Sequence, residues 1–220
     1  MLTGELINNH IPSLQLDDTI ASALTLMTDH KVSHLPVVES DKFAGLVSET
    51  DLLDAEDDSL KIATLQRSFL PTSLKDKVHF LQAINICNQF QTNIVPIVND
   101  DGELLGTITS QILLQATGVF SGAQEQGAIL VLEMERSQFA ISEISRIVES
   151  NDATVLHLNT TVNPLTGLLS VTLQLNKKEL SAIVATFERY EYNVTYHFGD
   201  ERFENDIQSN YENLMNYLEI

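Results

Sequence analysis

Ser48 and Asp51 are the residues whose types and spacing best suit ligand chemistry in this sequence. They follow Gly45, which permits close approach to the backbone, and the residues after them predict the start of a helix. A serine hydroxyl can hydrogen-bond a phosphate, an aspartate can accept two hydrogen bonds from a ribose diol, and a helix N-terminus favours anions. This combination is typical of a site for a nucleoside phosphate.

The same pair has a second interpretation that needs no ligand. Serine and aspartate are both favoured at helix starts. Ser48 could contact the backbone there, and Asp51 could cap a helix that runs into Leu52 and Leu53. Both interpretations stay open at the level of the sequence.

The pattern around this pair occurs twice, and each copy predicts the order strand, helix, strand, strand, helix. The matched positions lie 59, 60 and 61 residues apart, namely Pro12 and Pro71, Pro36 and Pro96, and Gly45 and Gly106. A period of this size that occurs only twice indicates a tandem pair rather than a solenoid. In the second copy Thr109 keeps the hydroxyl, but Ile112 replaces the aspartate. We therefore expect one competent site at most.

Apolar spacing and turn residues divide the chain into five segments. We predict a first repeat at residues 1–58, a second repeat at 59–117, a glycine-rich linker at 118–127, a βαββαβ domain at 128–199 and an acidic amphipathic helix at 200–220. The βαββαβ order is the ferredoxin-like split-βαβ plan. The predicted fold class is α+β.

Charge and cysteine content exclude several classes of protein. With 31 acidic and 12 basic residues, the net charge of −19 makes a nucleic-acid partner unfavourable. The sequence predicts no membrane association, because no apolar run approaches the ~18 residues of a membrane span and the polar face of the C-terminal segment is acidic. A cytoplasmic location is the default expectation. We expect no metal site, because the acidic run at 54–58 reads as a solvated linker and Cys87 is the only cysteine.

The strand, proline, glycine, hydroxyl and aspartate pattern resembles the cystathionine-β-synthase (CBS) domain, whose tandem pairs, called Bateman modules, sense adenine nucleotides. In that family the hydroxyl and aspartate of Gly-x-x-Ser/Thr-x-x-Asp contact phosphate and ribose, and these positions fall on Ser48 and Asp51. Thr109 takes the hydroxyl position of the second repeat. The resemblance also places the base near the first strand at residues 14–16 and beside four residues of the repeated strand, Ser33, His34, Leu35 and Pro36.

The βαββαβ segment resembles the ACT domain, a regulatory module that often binds amino acids between paired domains. Such domains frequently carry an Asp-x-x-Gly-like turn after the first strand, whereas this chain has Glu135-Arg136-Ser137-Gln138-Phe139 there. We therefore expect association rather than amino-acid binding. Paired CBS repeats followed by an ACT-like domain are similar to the acetoin-utilisation family of CBS and ACT proteins.

These observations predict a non-enzymatic regulatory protein with no catalytic residues. An adenosine nucleotide (AMP, ADP or ATP) or S-adenosylmethionine would bind the first repeat as a regulatory ligand, and would alter the relative pose of the repeats or the geometry of a homodimer. A regulated protein partner is a further expectation. One alternative is a dimerisation or interaction scaffold that binds no nucleotide. A small enzyme is the other alternative, although the sequence has no nucleophile elbow, Walker loop or histidine-rich metal motif.

Overall fold

The computed structural model describes residues 1–199, and the chain divides into two compact units, Met1–Thr117 and Gly118–Ile220. Both units mix helices and strands, so the predicted α+β class is confirmed. The amphipathic helix predicted at 200–220 lies outside the described residues. Within residues 1–199, none of the helices is both long and apolar enough to cross a bilayer.

The first repeat contains three strands and two helices: β1 (Leu14–Gln15), α1 (Ile20–His30), β2 (His34–Glu39), β3 (Lys42–Ser48) and α2 (Glu49–Leu53). β1 pairs with β2 in parallel, and β2 pairs with β3 antiparallel. Thr19 caps α1 by accepting a hydrogen bond from the N–H of Ser22. Apolar side chains from β1, α1, β2 and β3 form one buried core, which includes Leu14, Met27 and Leu35.

The second repeat has the same plan: β4 (Leu74–Lys75), α3 (Leu81–Phe90), β5 (Ile94–Val98), β6 (Leu104–Thr109) and α4 (Ser110–Phe120). Its sheet has the order β4-β5-β6, with the same parallel and antiparallel pairings as the first. The predicted tandem repeat is thus confirmed by the structure. α4 ends at Phe120, three residues beyond the predicted end of the repeat at residue 117.

Each repeat is completed by the segment that precedes the first strand of the other repeat. Before β1, Asn8 exchanges backbone hydrogen bonds of 2.7 and 3.3 Å with Thr107 of the second repeat. Before β4, Leu70 exchanges bonds of 2.8 and 2.9 Å with Leu46 of the first repeat. The two repeats therefore share backbone pairing across sequence distances that no local pattern indicates.

The segments around Asn8 and Leu70, called crossing segments below, pack closely against Gly106 and Gly45. Both lie at irregularities in the pairing of their hairpins, with positive φ angles of +151° and +148°. A Cβ on Gly45 would lie 2.7 Å from Cβ of Phe69, and one on Gly106 would lie 2.5 Å from Cγ2 of Ile7. The close approach that the sequence suggested at Gly45 is therefore made by the chain itself.

The second unit contains β7 (Ala128–Met134), α5 (Ile141–Glu149), β8 (Val155–Val162), β9 (Leu169–Leu175), α6 (Ser181–Arg189) and β10 (Asn193–Phe198). Its strands form an antiparallel sheet of order β10-β7-β9-β8. Buried and less buried residues alternate along β7 and β9, and both helices pack on the buried face. This is the predicted split-βαβ plan, in which β9 lies between the two strands joined by α5.

Candidate functional site in the first repeat

Ser48 and Asp51 meet where β3 ends and α2 begins. The Ser48 hydroxyl donates to Oδ2 of Asp51 at 2.6 Å, and the backbone N–H of Asp51 donates to Oγ of Ser48 at 3.0 Å. Ser48 is thus the N-cap of α2, as the second interpretation expects. No hydrogen bond from residues 1–199 reaches the other carboxylate oxygen, Oδ1, so Asp51 keeps an acceptor for a ligand hydroxyl.

Side chains rather than a helix dipole would recognise a ligand here. α2 has only five residues, and Ser48 already accepts one of its free N–H groups. Ser48 and Asp51 are both half-buried, which raises the strength of a charged hydrogen bond compared with one in bulk water. The pair can therefore bind a hydroxyl or an acidic group through a short set of directed contacts.

His34 lies beside this pair, because it is the β2 residue directly opposite Ser48 in the hairpin. Burial lowers the pKa of His34 below its ordinary value, and the negative charge of Asp51 opposes that shift. His34 is therefore neutral near pH 7. Its ring can offer one donor and one acceptor.

Ser33 connects His34 to the second repeat. The Ser33 hydroxyl oxygen lies 2.9 Å from Nδ1 of His34. The hydroxyl group donates a hydrogen bond of 3.0 Å to Oδ1 of Asn93. Sequence reasoning missed Asn93, although it stands 60 residues after Ser33 and so occupies the same place in its repeat. That spacing was the one signal that could have identified it.

Leu35 and Pro36 contribute in a different way from Ser33 and His34. Both are buried, and Leu35 is part of the core of the first repeat with no exposed surface. Their side chains hold β2 in place, so only their backbone could face a ligand. The structure brings Ser33, His34, Ser48 and Asp51 together at the end of the hairpin.

The second repeat has no equivalent set of polar groups. Thr109 caps α4 by accepting a hydrogen bond from the N–H of Ile112 at 3.3 Å. Ile112 packs against the apolar core of that repeat. The second copy thus keeps the cap but offers no carboxylate for a ribose.

The pairing of basic side chains in the first unit affects how much negative charge a bound ligand can carry. Lys61 is paired with Asp17 at 2.6 Å, and Lys75 is paired with Asp100 at 2.8 Å. In each pair the lysine lowers the pKa of its partner carboxyl through a hydrogen bond and through its positive charge. Two of the lysines are therefore already committed to carboxylates, which disfavours a highly charged phosphate.

A separate cleft of about 400 Å³ lies at the hairpin ends of the two repeats. It is lined by Ser13, Gln15, Val38, Asp41, Glu103 and Leu104. Neither Ser48 nor Asp51 contributes to it. Its lining includes Gln15 of β1, the strand that the sequence placed near the base.

The second unit contains an acidic cavity of about 460 Å³. Its lining includes Gln138 of the turn after β7 and three carboxylates, Glu133, Glu143 and Glu191. Tyr192 donates a hydrogen bond of 3.0 Å to Glu143. The three carboxylates make this lining acidic, and the expectation that the domain associates rather than binds amino acids stays a prediction.

The thiol of Cys87 and the possible metal ligands are the remaining candidates. Burial raises the pKa of the Cys87 thiol, which lowers the fraction of reactive thiolate. Within residues 1–199, no group of three or more His, Cys, Asp or Glu side chains is placed to hold a metal ion.

Comparison with known proteins adds a family assignment for the first repeat. The CBS domain family matches residues 4–58. Inosine-5'-monophosphate dehydrogenase of Korarchaeum cryptofilum is 27% identical over 116 residues, which are 52% of this chain and 24% of that protein. Homoserine O-acetyltransferase of Methanobrevibacter ruminantium is 31% identical over 112 residues, which are 50% of this chain and 22% of that protein. The chain spans about a quarter of the length of these curated relatives.

One solved structure is similar to about half of this chain. The crystal structure of a CBS domain pair/ACT domain protein from Thermotoga maritima aligns with 53% of this chain and 96% of that chain, at 19% identity and a TM-score of 0.49.

Proposed function

We propose that this chain, whose first repeat matches the CBS domain family and whose second repeat has the same plan, is a regulatory protein that binds one adenosine nucleotide in its first repeat. The observation that carries the proposal is the Ser48–Asp51 pair, which lies beside a neutral His34 and is matched by no carboxylate in the second repeat. The pair combines an uncommitted carboxylate oxygen with a hydroxyl. Those are the groups that a ribose diol and a phosphate need.

Binding would rearrange the hydrogen bonds of the pair. The Ser48 hydroxyl now donates to Asp51, and in the complex it turns to a phosphate oxygen instead. Both carboxylate oxygens of Asp51 are then free to accept from the two ribose hydroxyls. One internal bond is exchanged for three bonds to the ligand.

Charge favours a ligand with few phosphates. The chain carries a net charge of −19, and the lysines at 61 and 75 are paired with aspartates. We expect AMP or S-adenosylmethionine to bind in preference to ATP, with ADP between them.

Isothermal titration with AMP, ADP, ATP, S-adenosylmethionine and NAD tests the proposal. Asp51→Ala should weaken the ribose-bearing ligand by roughly 10- to 100-fold, the cost of losing hydrogen bonds to a charged group. Asp54→Ala is the matched control, because Asp54 is an exposed aspartate at the end of the same helix. Equal affinity in the Asp51→Ala variant and the wild type would remove Asp51 from the site.

The second candidate function is a scaffold that binds no nucleotide. It is favoured by the bonds between Ser48 and Asp51, which form a helix cap without any ligand. A scaffold would give no heat with any of the five compounds, and its oligomeric state would not change when they are added.

In either function we propose a homodimer formed through the helices of the repeats. Leu53 on α2 and Leu114 on α4 are 66% and 73% exposed, so both leave apolar surface that a second copy of the chain could cover. Light scattering of Leu114→Lys should show a shift toward the monomer, and an unchanged mass would argue against this helix face.

A further inference from the structure

Asn93 of the second repeat holds the connection between α1 and β2 of the first repeat. Its Nδ2 donates to the carbonyl oxygen of Lys31 at 3.2 Å. Its Oδ1 accepts from the backbone N–H of Ser33 and from the Ser33 hydroxyl, both at 3.0 Å. One side chain of the second repeat thus makes three hydrogen bonds to the strand entry of the first.

These partners fix which way the Asn93 amide points. If its oxygen and nitrogen were exchanged, two acceptors would face each other at Lys31 and two donors would face each other at the N–H of Ser33. Only the orientation with Oδ1 toward Ser33 satisfies both backbone groups. The amide is therefore an acceptor for the Ser33 hydroxyl.

This orientation determines the proton position on His34. The Ser33 hydroxyl has one hydrogen and gives it to Asn93, so its oxygen must accept in the 2.9 Å contact with Nδ1 of His34. Nδ1 therefore carries a proton. In the neutral ring Nε2 is then a bare acceptor, and no hydrogen bond joins it to another residue within 1–199.

We propose that Asn93, acting through Ser33, fixes His34 as the Nδ1-protonated tautomer, so that Nε2 selects a ligand base that carries an amino group. The proposal rests on the proposed function, because it needs the base to lie beside the hairpin on which His34 faces Ser48. The 6-amino group of adenine is a donor for Nε2. The 6-carbonyl of hypoxanthine is an acceptor, and would leave both acceptors unpaired. Asn93 and Ser33 are positioning residues, and His34 contacts the ligand.

The tautomer can be tested without any ligand. Nitrogen-15 NMR of the full chain near neutral pH distinguishes a protonated ring nitrogen from a bare one, and His34→Gln identifies the His34 signals among the six histidines. We expect Nδ1 to be protonated in the wild type, and a mixture of tautomers in Ser33→Ala and in Asn93→Leu. Gln91→Ala, an exposed change two residues before Asn93, should leave the signals unchanged.

Ser33→Ala keeps this test informative if Asn93→Leu fails to fold, since the backbone N–H of Ser33 still reaches Asn93. An Nε2-protonated His34 in the wild type would overturn the proposal. So would signals that are the same in the wild type and in Ser33→Ala.

The preference for an amino group is tested by titrating AMP and inosine monophosphate, which differ at position 6 of the base and in the proton that hypoxanthine carries on N1. Wild-type protein should bind AMP at least ~10-fold more tightly, and the ratio should fall to within ~3-fold in Ser33→Ala. Equal affinities in the wild type, with AMP binding still lost in Asp51→Ala, would overturn the preference and leave the proposed function standing. If neither compound binds, the proposed function and the preference both fail, and the NMR result alone decides the tautomer.

Discussion

Replacing Gly45 with alanine tests whether the crossing segment before the second repeat really packs on the first repeat. Two costs are expected. The φ of +151° strains any residue with a side chain, by about 1–2 kcal/mol. The new Cβ would also lie 2.7 Å from Cβ of the buried Phe69, which cannot rotate away, and such overpacking costs roughly 1–3 kcal/mol. The sum is about 2–5 kcal/mol.

Gly102→Ala is the matched control. Gly102 also has a positive φ, of +81°, but a Cβ there meets nothing within 4 Å. It therefore carries only the backbone strain, about 1 kcal/mol. The difference between the two variants isolates the packing of the crossing segment.

Hydrogen exchange of the full chain is the suitable assay, because it reports local opening in each unit separately. The amides of Leu46 and Leu70 bond to each other's carbonyl groups at 2.9 and 2.8 Å, so they should be protected in the wild type. Gly45→Ala should lower their free energy of opening by about 2–5 kcal/mol. A loss within ~0.5 kcal/mol of that in Gly102→Ala would refute the packing argument.

Two further predictions concern pH. Burial lowers the pKa of His34 in the folded chain, so the unfolded chain binds a proton at this ring more readily. The contribution of neutral His34 to the free energy of unfolding is present above the unfolded pKa of about 6.5, and it is lost as pH falls through the folded pKa. Thermal melts of His34→Gln should be less acid-sensitive than those of the wild type, and parallel curves would contradict this. Burial, with the hydrogen bond to Glu143, raises the pKa of Tyr192 to about 12, so stability should fall as pH rises from about 10 to 12. Tyr192→Phe should remove the highest step of an ultraviolet titration, and a step that persists would assign it to another tyrosine.

Local patterns were sufficient to predict most of the elements. The span of α1 follows from the capping Thr19 and the helical spacing of apolar residues up to His30. The apolar run from Ala128 to Met134 indicates a strand, and β7 has those bounds. These signals depend on neighbours within one turn or two pleats, so the sequence carries them directly.

Contacts between distant parts of the chain could not be predicted in the same way. The pairing of Asn8 with Thr107 joins residues 99 positions apart, and the bonds from Ser33 to Asn93 join residues 60 positions apart. Nothing in the local sequence around Asn8 distinguishes a crossing segment from a free N-terminus. The repeat spacing aligned Ser33 with Asn93, but only the packing of the two repeats brings equivalent positions into contact.

Asp51 and Ile112 can be compared directly because the backbone N–H of each donates to the hydroxyl that caps its helix. Ser48 accepts the N–H of Asp51 at 3.0 Å, and Thr109 accepts the N–H of Ile112 at 3.3 Å, so each helix start is capped by the preceding hydroxyl. The second repeat shows that this cap needs no carboxylate, and there the side chain packs against the core instead. A half-buried carboxylate gives up hydration that an isoleucine would not. Under the proposed function a ribose diol would give Asp51 a role that capping does not require, and this would account for a single site in two nearly equivalent repeats.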